Sequence, residues 1–368
     1  MPSFKNLFIS LILFLLGCFF ALGISELFFR LFPRITGIYS TANYSLPAIY
    51  VQDEKRGYAL LPMSYGRNIS LHGDFNVVYR INSQGLRAGK NYYGKKSDIR
   101  VLLLGDSFIF GNGVRDSETL SVKLEENLND RDLKIGNKLV RFEVISAGVA
   151  GYTLDNEYMT LEYFKFLDSD MVLLGLCSND IQDILFHKWV IDHTGNIVKV
   201  IETTRHIDSH HRFVNGPESL YEKNNYLEWL FEFCRRHLFV YNFLGTLRYR
   251  NRDSGEPQNR NFTINQNERQ EGLDRARKVL SLIKEWCDRN GAKLVIFSVD
   301  DVVFKKYPEL KTSSLNAPVM DISELFKENK KLTLPHDAHW SVEGTVKVAN
   351  WLADFIQEKK MFIRKINK

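Results

Sequence analysis

The chain has 368 residues, of which 44% are hydrophobic and 25% charged, with a formal net charge of +5. This composition is typical of a globular protein with a real core. The basic residues are scattered and are not interleaved with aromatic ones, so nucleic acid is not an expected partner. The four cysteines form no CxxC pair, which argues against a zinc or redox motif and against a full disulfide framework.

The N-terminus begins with a long apolar run. Residues 7–24, LFISLILFLLGCFFALGI, contain no charged residue and are just long enough to cross a membrane. We expect residues 1–24 to be a transmembrane signal anchor, because the run exceeds a usual signal-peptide core and continues into SELFFRLF. Two alternatives stay open: a signal peptide cleaved near Ala21 and Gly23, and a lipoprotein signal that ends at Cys18.

The flanking charges give no clear orientation. Lys5 lies on one side of the apolar run, and Arg30 and Arg34 lie on the other. Because a short N-terminal tail normally stays in the cytoplasm, we expect a single-pass protein whose main domain lies outside the cytoplasm.

The rest of the chain divides by its pattern. Residues 25–97 are predicted to be a linker and a small β-leaning region, in which no catalytic pattern appears. Residues 98–368 are predicted to form the main domain, interrupted by an insertion at about 183–267 that is rich in histidine and aromatic residues. Within the insertion, YLEWLFEFCRRHLFVYNFL is predicted to be a helix packed over the active face, with a membrane-surface or partner contact as the alternative. RYRNRDSGEPQNRN is predicted to be an exposed loop.

Strand-like and helix-like segments alternate through the main domain. The five predicted strands are the apolar runs IRVLLLG, VRFEVISAG, DMVLLGLCSND, AKLVIFSV and APVMDIS. Helical spacing is read at Leu120, Leu124 and Leu128; at Leu154, Tyr158 and Leu161; at Leu273, Ala276, Leu280, Ile283 and Cys287; and at Val342, Val346, Ala349, Leu352 and Ile356. This alternation predicts an α/β fold with a parallel sheet and helices on both faces.

Chemically active residue types follow the predicted strands. In a parallel sheet, functional groups collect at the carboxyl ends of the strands. Ser107 follows the first strand, the glycine-rich turn SAGVAGYT ends the second, Asn179 follows the third, and LPHDAHWSVEG precedes the last helix. A serine, backbone N–H groups, an amide, an acid and a histidine are the set required for acyl transfer.

Four segments resemble the conserved blocks of the SGNH or GDSL hydrolases, in the family's order. They are GDSFIFG, AGVAGYT, CSND and DAHWSVEG, and together with their flanking elements they span about residues 99–357. The resemblance implies a flavodoxin-like, three-layer α/β/α fold with a mostly parallel five-stranded sheet. It implies no metal or organic cofactor.

The resemblance also implies a role for each matching residue. Ser107 matches the nucleophile, His339 the general base and Asp337 the acid that orients the histidine. The backbone N–H groups of Ser107 and Gly151 and the side chain of Asn179 match the oxyanion hole.

Two positions depart from the family pattern, and they are Cys177 and His336. Cys177 stands where the third block usually has glycine, and His336 stands at the usual position of the acid. Asp106 is interpreted as a residue that ties the loop to backbone amides, and Asp180 as a structural residue. The remaining histidines of the insertion match no metal-ligand spacing and are interpreted as solvated loop residues; they are His187, His193, His206, His210 and His211.

The sequence therefore predicts a membrane-anchored serine esterase that cleaves O-acyl esters of a lipid or an acylated glycan through an acyl-enzyme. One alternative is a membrane-associated O-acyltransferase acting on envelope glycans with the same residues. A second alternative is a non-catalytic binding relative. A phosphate-binding loop at GDSFIFGNG is disfavoured because it lacks the lysine and spacing of a P-loop.

Overall fold

The structure is a computed structural model. It describes residues 4–31, 49–70, 74–94, 97–202, 205–207, 213–215, 240, 265–311, 315–327 and 330–363. The exposed loop predicted at RYRNRDSGEPQNRN lies outside the described residues, as does the packed helix predicted at YLEWLFEFCRRHLFVYNFL apart from Val240. His210 and His211 also lie outside them.

Fifteen strands are found in the described part of the chain. They are β1 (Tyr50–Asp53), β2 (Gly57–Leu60), β3 (Tyr65–Ile69), β4 (Asn76–Arg80), β5 (Ile99–Leu104), β6 (Lys134–Ile135), β7 (Lys138–Leu139), β8 (Phe142–Ser146), β9 (Met171–Leu176), β10 (His187–Ile191), β11 (Ile197–Glu202), β12 (Arg205–Ile207), β13 (Phe213–Asn215), β14 (Lys293–Ser298) and β15 (Val319–Met320).

The same described part of the chain contains nine α-helices with defined bounds. They are α1 (Phe4–Leu31), α2 (Ser107–Phe110), α3 (Leu120–Asp130), α4 (Leu154–Tyr163), α5 (Asp180–Asp183), α6 (Gln266–Arg289), α7 (Val303–Lys306), α8 (Ser323–Phe326) and α9 (Val342–Glu358).

The main domain contains a five-stranded sheet in the order β15-β14-β9-β5-β8, and all neighbouring strands are parallel. Strands β5 and β9 lie inside the sheet and are buried along their whole length. Their unbroken apolar sequences are typical of strands covered on both faces. The predicted mixed α/β class with a parallel five-stranded sheet is confirmed.

Alternate residues of β5 enter two different hydrophobic clusters. Leu102 and Leu104 pack in a cluster that includes buried residues of α4 and α6. Val101 and Leu103 pack in a second cluster with buried residues of α3 and α9. Because successive side chains of a strand point to opposite faces, the two clusters cover opposite sides of the sheet.

One helical face differs from its prediction. Val342 and Val346 are 42% and 36% exposed, whereas Ala349, Leu352 and Ile356 are buried as expected. Each helical residue rotates by about 100°, so the buried stripe of α9 is centred near Leu352 and Ile356. Val346 falls at the margin of that stripe, and Val342 lies in the first turn of the helix.

The β-leaning region forms two antiparallel hairpins, β1–β2 and β3–β4. We call residues 49–94 the N-terminal β unit. Its buried residues, among them Tyr58 and Tyr79, share a cluster with Phe110, Val149 and Tyr152, which lie in or after the loops that follow β5 and β8. The unit therefore packs against the carboxyl edge of the parallel sheet.

The apolar N-terminal run lies in a single helix, α1. Its segment Phe8–Phe28 has a mean hydropathy of 2.5, and none of that segment is buried. A helix of this length and composition can cross a membrane, and an N-terminal signal sequence has the same properties.

Candidate active site

Ser107 lies where β5 turns into the short helix α2. Gly105 precedes it with a φ of +155°, and a Cβ at that position would come within 2.2 Å of the Ile109 side chain. The Asp106 carboxylate accepts a hydrogen bond from the backbone N–H of Phe108 at 3.0 Å and so caps α2. The glycine and the cap together hold Ser107 at the carboxyl edge of the sheet.

His339 and Asp337 lie beside Ser107. The Ser107 Oγ is 2.6 Å from the His339 Nε2, and the other ring nitrogen, Nδ1, contacts the Asp337 carboxylate. The same carboxylate accepts a hydrogen bond from the His339 backbone N–H at 2.9 Å. The structure thus brings the three side chains together in the order serine, histidine, aspartate.

The charge of Asp337 follows from its surroundings. Burial by itself raises the pKa of the Asp337 carboxyl, but the hydrogen bonds and electrostatic attraction from His339 outweigh burial, and the pKa falls below its ordinary value. An ionised Asp337 accepts a hydrogen bond from the Nδ1–H of His339. The lone pair on Nε2 then faces the Ser107 hydroxyl, as a general base requires.

His336 does not face Ser107. Its Nδ1 lies 2.9 Å from the Asp74 carboxylate of the N-terminal β unit, and its side chain is 55% exposed. The histidine that reaches the serine is therefore His339, although His336 stands three residues before it.

Gly151 and Asn179 lie on either side of Ser107. Gly151 follows β8 and Asn179 follows β9, and these two strands flank β5 in the sheet. Gly151 has a φ of +80°, a left-handed conformation that favours glycine. The Asn179 amide donates to the Asp183 carboxylate at 3.2 Å. Both residues therefore occupy the sheet edge at which Ser107 stands.

Gly148 is required for packing as well as for the turn. A Cβ on Gly148 would lie 2.5 Å from the Phe110 backbone nitrogen and 2.6 Å from the Ile109 carbonyl carbon. Contacts this short involve backbone that cannot rotate away, so a larger residue would displace α2 and with it Ser107.

Cys177 and Asp180 are buried in the segment that follows β9. The Asp180 carboxylate accepts a hydrogen bond from the Cys177 backbone N–H at 2.7 Å, which is the structural role expected of it. Burial raises the pKa of the Cys177 thiol, and the nearby charges of Asp106 and Asp300 raise it further. A protonated, buried thiol is a poor nucleophile, so Cys177 does not compete with Ser107.

The interpretation of His187 as a solvated loop residue is wrong. His187 is 3% exposed, and its Nδ1 lies 2.8 Å from the Asp155 carboxylate. Asp155 also accepts hydrogen bonds from Thr153 Oγ1 and Trp189 Nε1, at 2.5 and 2.6 Å. The hairpin β10–β11 carries His187 into the core, where a neighbouring carboxylate satisfies it. His193 is exposed, as expected.

The N-terminal β unit contributes contacts that the sequence pattern does not predict. The buried Arg87 guanidinium donates to the carbonyl oxygens of Phe110, Gly111 and Val114 at 2.9, 2.6 and 2.6 Å. It also pairs with Asp116 at 3.0 Å. Arg87 thus fixes the loop that follows Ser107. In the sequence, Arg87 is an arginine within a β-rich segment that carries no catalytic pattern, so its role could not be read from the residues around it.

The same unit contacts the loop after β8. Tyr58 Oη donates to the Ala150 carbonyl at 3.0 Å, and Tyr152 Oη donates to the Tyr58 carbonyl at 2.5 Å. These bonds fix the two residues on either side of Gly151. The N-terminal β unit therefore supports two of the loops that carry candidate site residues.

Comparison with known proteins finds solved structures that resemble the chain only weakly. No family model matches the chain, and no curated protein matches it significantly. Among solved structures, TesA matches with 10% identity and a TM-score of 0.37, over 69% of this chain and 97% of TesA. The psychrotrophic esterase EstA from Pseudoalteromonas sp., in a structure inhibited by monoethylphosphonate, matches with 12% identity and a TM-score of 0.39, over 71% of this chain and 98% of EstA. Identities and TM-scores this low support no conclusion about function. The functional argument therefore rests on the geometry of the site.

Proposed function

We propose that the protein is a serine hydrolase of the SGNH or GDSL type that cleaves O-acyl esters through an acyl-enzyme. The observation that carries the proposal is the 2.6 Å approach of Ser107 Oγ to His339 Nε2, with Asp337 on the opposite ring nitrogen. A neutral hydroxyl is a weak nucleophile, and an adjacent base held by a third group is the arrangement that activates it.

In the proposed first step, Ser107 Oγ attacks the acyl carbonyl carbon while its proton passes to His339 Nε2. The new C–O bond gives a tetrahedral oxyanion, and the positive charge on the imidazole is stabilised by Asp337. The intermediate collapses with cleavage of the ester C–O bond, and His339 returns the proton to the leaving alcohol. Water then repeats the sequence on the acyl-enzyme and releases the acid.

The proposed oxyanion hole consists of the backbone N–H groups of Ser107 and Gly151 and the Asn179 amide. Support comes from their shared position at the carboxyl ends of β5, β8 and β9, which are neighbours in the sheet. Preorganised donors of this kind are worth several kcal/mol in the transition state of acyl transfer.

The proposed fold is the flavodoxin-like three-layer α/β/α arrangement. Counted along the chain, the five parallel strands have the spatial order 2-1-3-4-5, which is the order of that fold. The two hydrophobic clusters on opposite sides of β5 supply the outer layers.

We further propose that α1 anchors the protein in a membrane by a single pass, with the main domain outside the cytoplasm. The length and hydropathy of Phe8–Phe28 support the anchor. An ester of a lipid or an acylated glycan of the cell envelope is the proposed substrate, because such esters are accessible to a domain held at the membrane.

The test is hydrolysis of a short-chain aryl ester by the full chain in detergent. We expect turnover in the wild type and its loss in Ser107→Ala. Ser178→Ala is the matched control, because Ser178 also follows a strand of the sheet but is bonded through its backbone N–H to Asp300. A folded wild-type protein without turnover would contradict the hydrolase. Transfer of the acyl group to an added oligosaccharide would then identify an acyltransferase, and the absence of both reactions would identify a binding protein.

A further inference from the structure

The loop that carries the candidate acid and base is bonded to the N-terminal β unit. Asp74 lies between β3 and β4, and its carboxylate accepts a hydrogen bond from the His336 backbone N–H at 3.1 Å. The same carboxylate lies 2.9 Å from His336 Nδ1, and since a carboxylate only accepts, this contact places a proton on Nδ1. The Asp74 side chain is 4% exposed. A buried carboxylate with two hydrogen bonds to one residue holds that residue firmly.

Three hydrogen bonds from backbone N–H groups join residues 334–339 to one another. The Leu334 N–H donates to the His339 carbonyl at 2.9 Å, and the Asp337 N–H donates to the Leu334 carbonyl at 3.4 Å. The His339 N–H donates to the Asp337 carboxylate at 2.9 Å. At 3.4 Å the bond from Asp337 is longer than an ordinary N–H···O bond, so it holds the Asp337 backbone only weakly. The two bonds from the preceding residue, His336, to the β unit therefore matter for the position of Asp337.

The residue after Asp74 packs against the start of the same loop. Phe75 and Leu334 are both buried and belong to one hydrophobic cluster. A Cβ on Gly113 would lie 2.7 Å from the Leu334 side chain and 2.9 Å from the Phe75 ring, so both side chains meet the turn that follows α2. Asp74 and Phe75 thus hold the loop at two points, Leu334 and His336, and both points precede the candidate acid.

We propose that Asp74 is a positioning residue for the candidate triad, because it fixes the backbone one residue before Asp337 and so keeps the Asp337 carboxylate on Nδ1 of His339. The proposal rests on the hydrolase function proposed above. The acid of a triad acts by holding the imidazole in its productive orientation and tautomer, so the position of the acid affects the rate. A misplacement of about 1 Å costs up to ~10²-fold in rate.

Asp74→Ala removes both hydrogen bonds to His336. We expect kcat for the aryl ester to fall about tenfold with little change in KM, since the geometry of the base is altered and the substrate contacts are not. Asp74→Asn should restore part of the loss, because its amide oxygen can still accept a hydrogen bond from the His336 backbone N–H.

Asp53→Ala is the matched control, because Asp53 makes the same kind of contact elsewhere in the N-terminal β unit. Its carboxylate accepts a hydrogen bond from the Arg56 backbone N–H at 2.8 Å and one from the Arg56 guanidinium at 2.6 Å. Asp53→Ala should lower the melting temperature and keep the wild-type kcat. An equal loss of kcat in Asp53→Ala and Asp74→Ala would show a general effect of loosening the unit and would overturn the proposal.

A double variant tests whether Asp74 acts through Asp337. Asp74→Ala should slow the Asp337→Asn protein much less than it slows the wild type, because the carboxylate whose position it sets is already gone. Independent effects would instead multiply, and this result would also overturn the proposal.

A proton NMR signal of the full chain in detergent gives a readout that needs no turnover. The hydrogen-bonded Nδ1 proton of His339 is observed far downfield and is identified by its absence in His339→Gln. In Asp74→Ala this signal should move upfield and broaden, while in Asp53→Ala it should stay unchanged. Wild-type kcat and an unchanged signal in Asp74→Ala would contradict the proposal. If Asp74→Ala does not fold, Asp74→Asn decides by a smaller change of kcat and signal in the same direction. A wild type without turnover whose signal responds to Asp74→Ala would overturn the hydrolase function alone.

Discussion

Among the described residues, the pairs His339–Asp337 and His187–Asp155 make nearly the same contact in very different surroundings. In one pair His339 Nδ1 bonds to Asp337, and the side chains are 13% and 23% exposed. In the other, His187 Nδ1 bonds to Asp155 at 2.8 Å, and the side chains are 1% and 0% exposed. We call them the open pair and the closed pair.

The difference lies in what else each pair contacts. The open pair has the Ser107 hydroxyl at its second ring nitrogen, 2.6 Å away, at the edge of the sheet. In the closed pair, the Asp155 carboxylate receives hydrogen bonds from Thr153 and Trp189 in addition to His187. A histidine beside a carboxylate is therefore not by itself evidence of a catalytic site. The comparison indicates that exposure and a nucleophile on the far nitrogen distinguish a candidate catalytic pair from a structural one.

The largest expected contrast comes from replacing each histidine by glutamine. His339→Gln removes the base, and we expect turnover to fall roughly 10⁴–10⁶-fold with little change in melting temperature. His187→Gln breaks a buried pair and should cost about 3–5 kcal/mol of unfolding free energy, because the Asp155 charge loses its partner. Ester hydrolysis and thermal melts of both variants check this. Equal loss of turnover in two well-folded variants would break the distinction between the pairs.

An asparagine at the carboxyl edge of the sheet and one beside the closed pair give the next contrast. Asn179→Ala should lower kcat by roughly 10²–10³, the effect of losing one oxyanion donor, and leave stability nearly unchanged. Asn156 lies on α4 beside the closed pair, and its amide donates to the Arg56 carbonyl at 2.8 Å. Asn156→Ala should instead lower the melting temperature and leave kcat of the folded protein intact. The reverse assignment of the two effects would contradict the proposed oxyanion hole.

These contrasts also show what the sequence could predict. Ser107, Asn179 and His339 follow strands or precede a helix in short local patterns, so position in a parallel sheet and the motif blocks were sufficient to select them. The five strands were predictable for the same reason, because continuous apolar runs are local. The spacing of apolar residues predicts Val346 on the buried face of α9, whereas it lies at the margin of that face. A pattern of three- and four-residue spacings does not fix the centre of a helical face.

The contacts that hold the site were not predictable from the sequence. Asp74 and His336 are 262 residues apart, and no local pattern joins them. No local pattern places His187 in the core, because its partner, Asp155, lies 32 residues earlier. Reactive groups are selected by local geometry, whereas the residues that position or bury them meet only after the chain has folded.

The smallest expected effect concerns an acid beside the closed pair. Glu157 is 1% exposed, and neither carboxylate oxygen has a hydrogen-bond partner among the described residues. Burial raises the pKa of Glu157 well above its ordinary value, and the charges of Asp106 and Asp155 raise it further. Burial of Glu157 therefore costs no unfolding free energy below the pKa of its unfolded state, about 4.3, where the group is protonated in both states. Unfolding free energy is lost as the pH rises towards and through the raised pKa of the folded state.

Glu157→Gln cannot titrate, so its melting temperature relative to the wild type should increase as pH rises from about 4 to 9. Melting curves of the two proteins across that range are the measurement. Glu162→Gln, a partly exposed position on the same helix, controls for the loss of one negative charge. Parallel curves for Glu157→Gln and the wild type would show that burial of this acid has no pH-dependent cost.

The measurement that tests the central proposal most directly is the site of covalent labelling by a fluorophosphonate. The full chain in detergent is treated with the probe, digested and analysed by mass spectrometry. The account predicts one adduct, on the peptide that contains Ser107, formed at a rate that falls sharply in His339→Gln and stays at the wild-type value in folded His187→Gln. A folded wild type without an adduct, an adduct on another residue, or equal labelling rates in wild type and His339→Gln would contradict it.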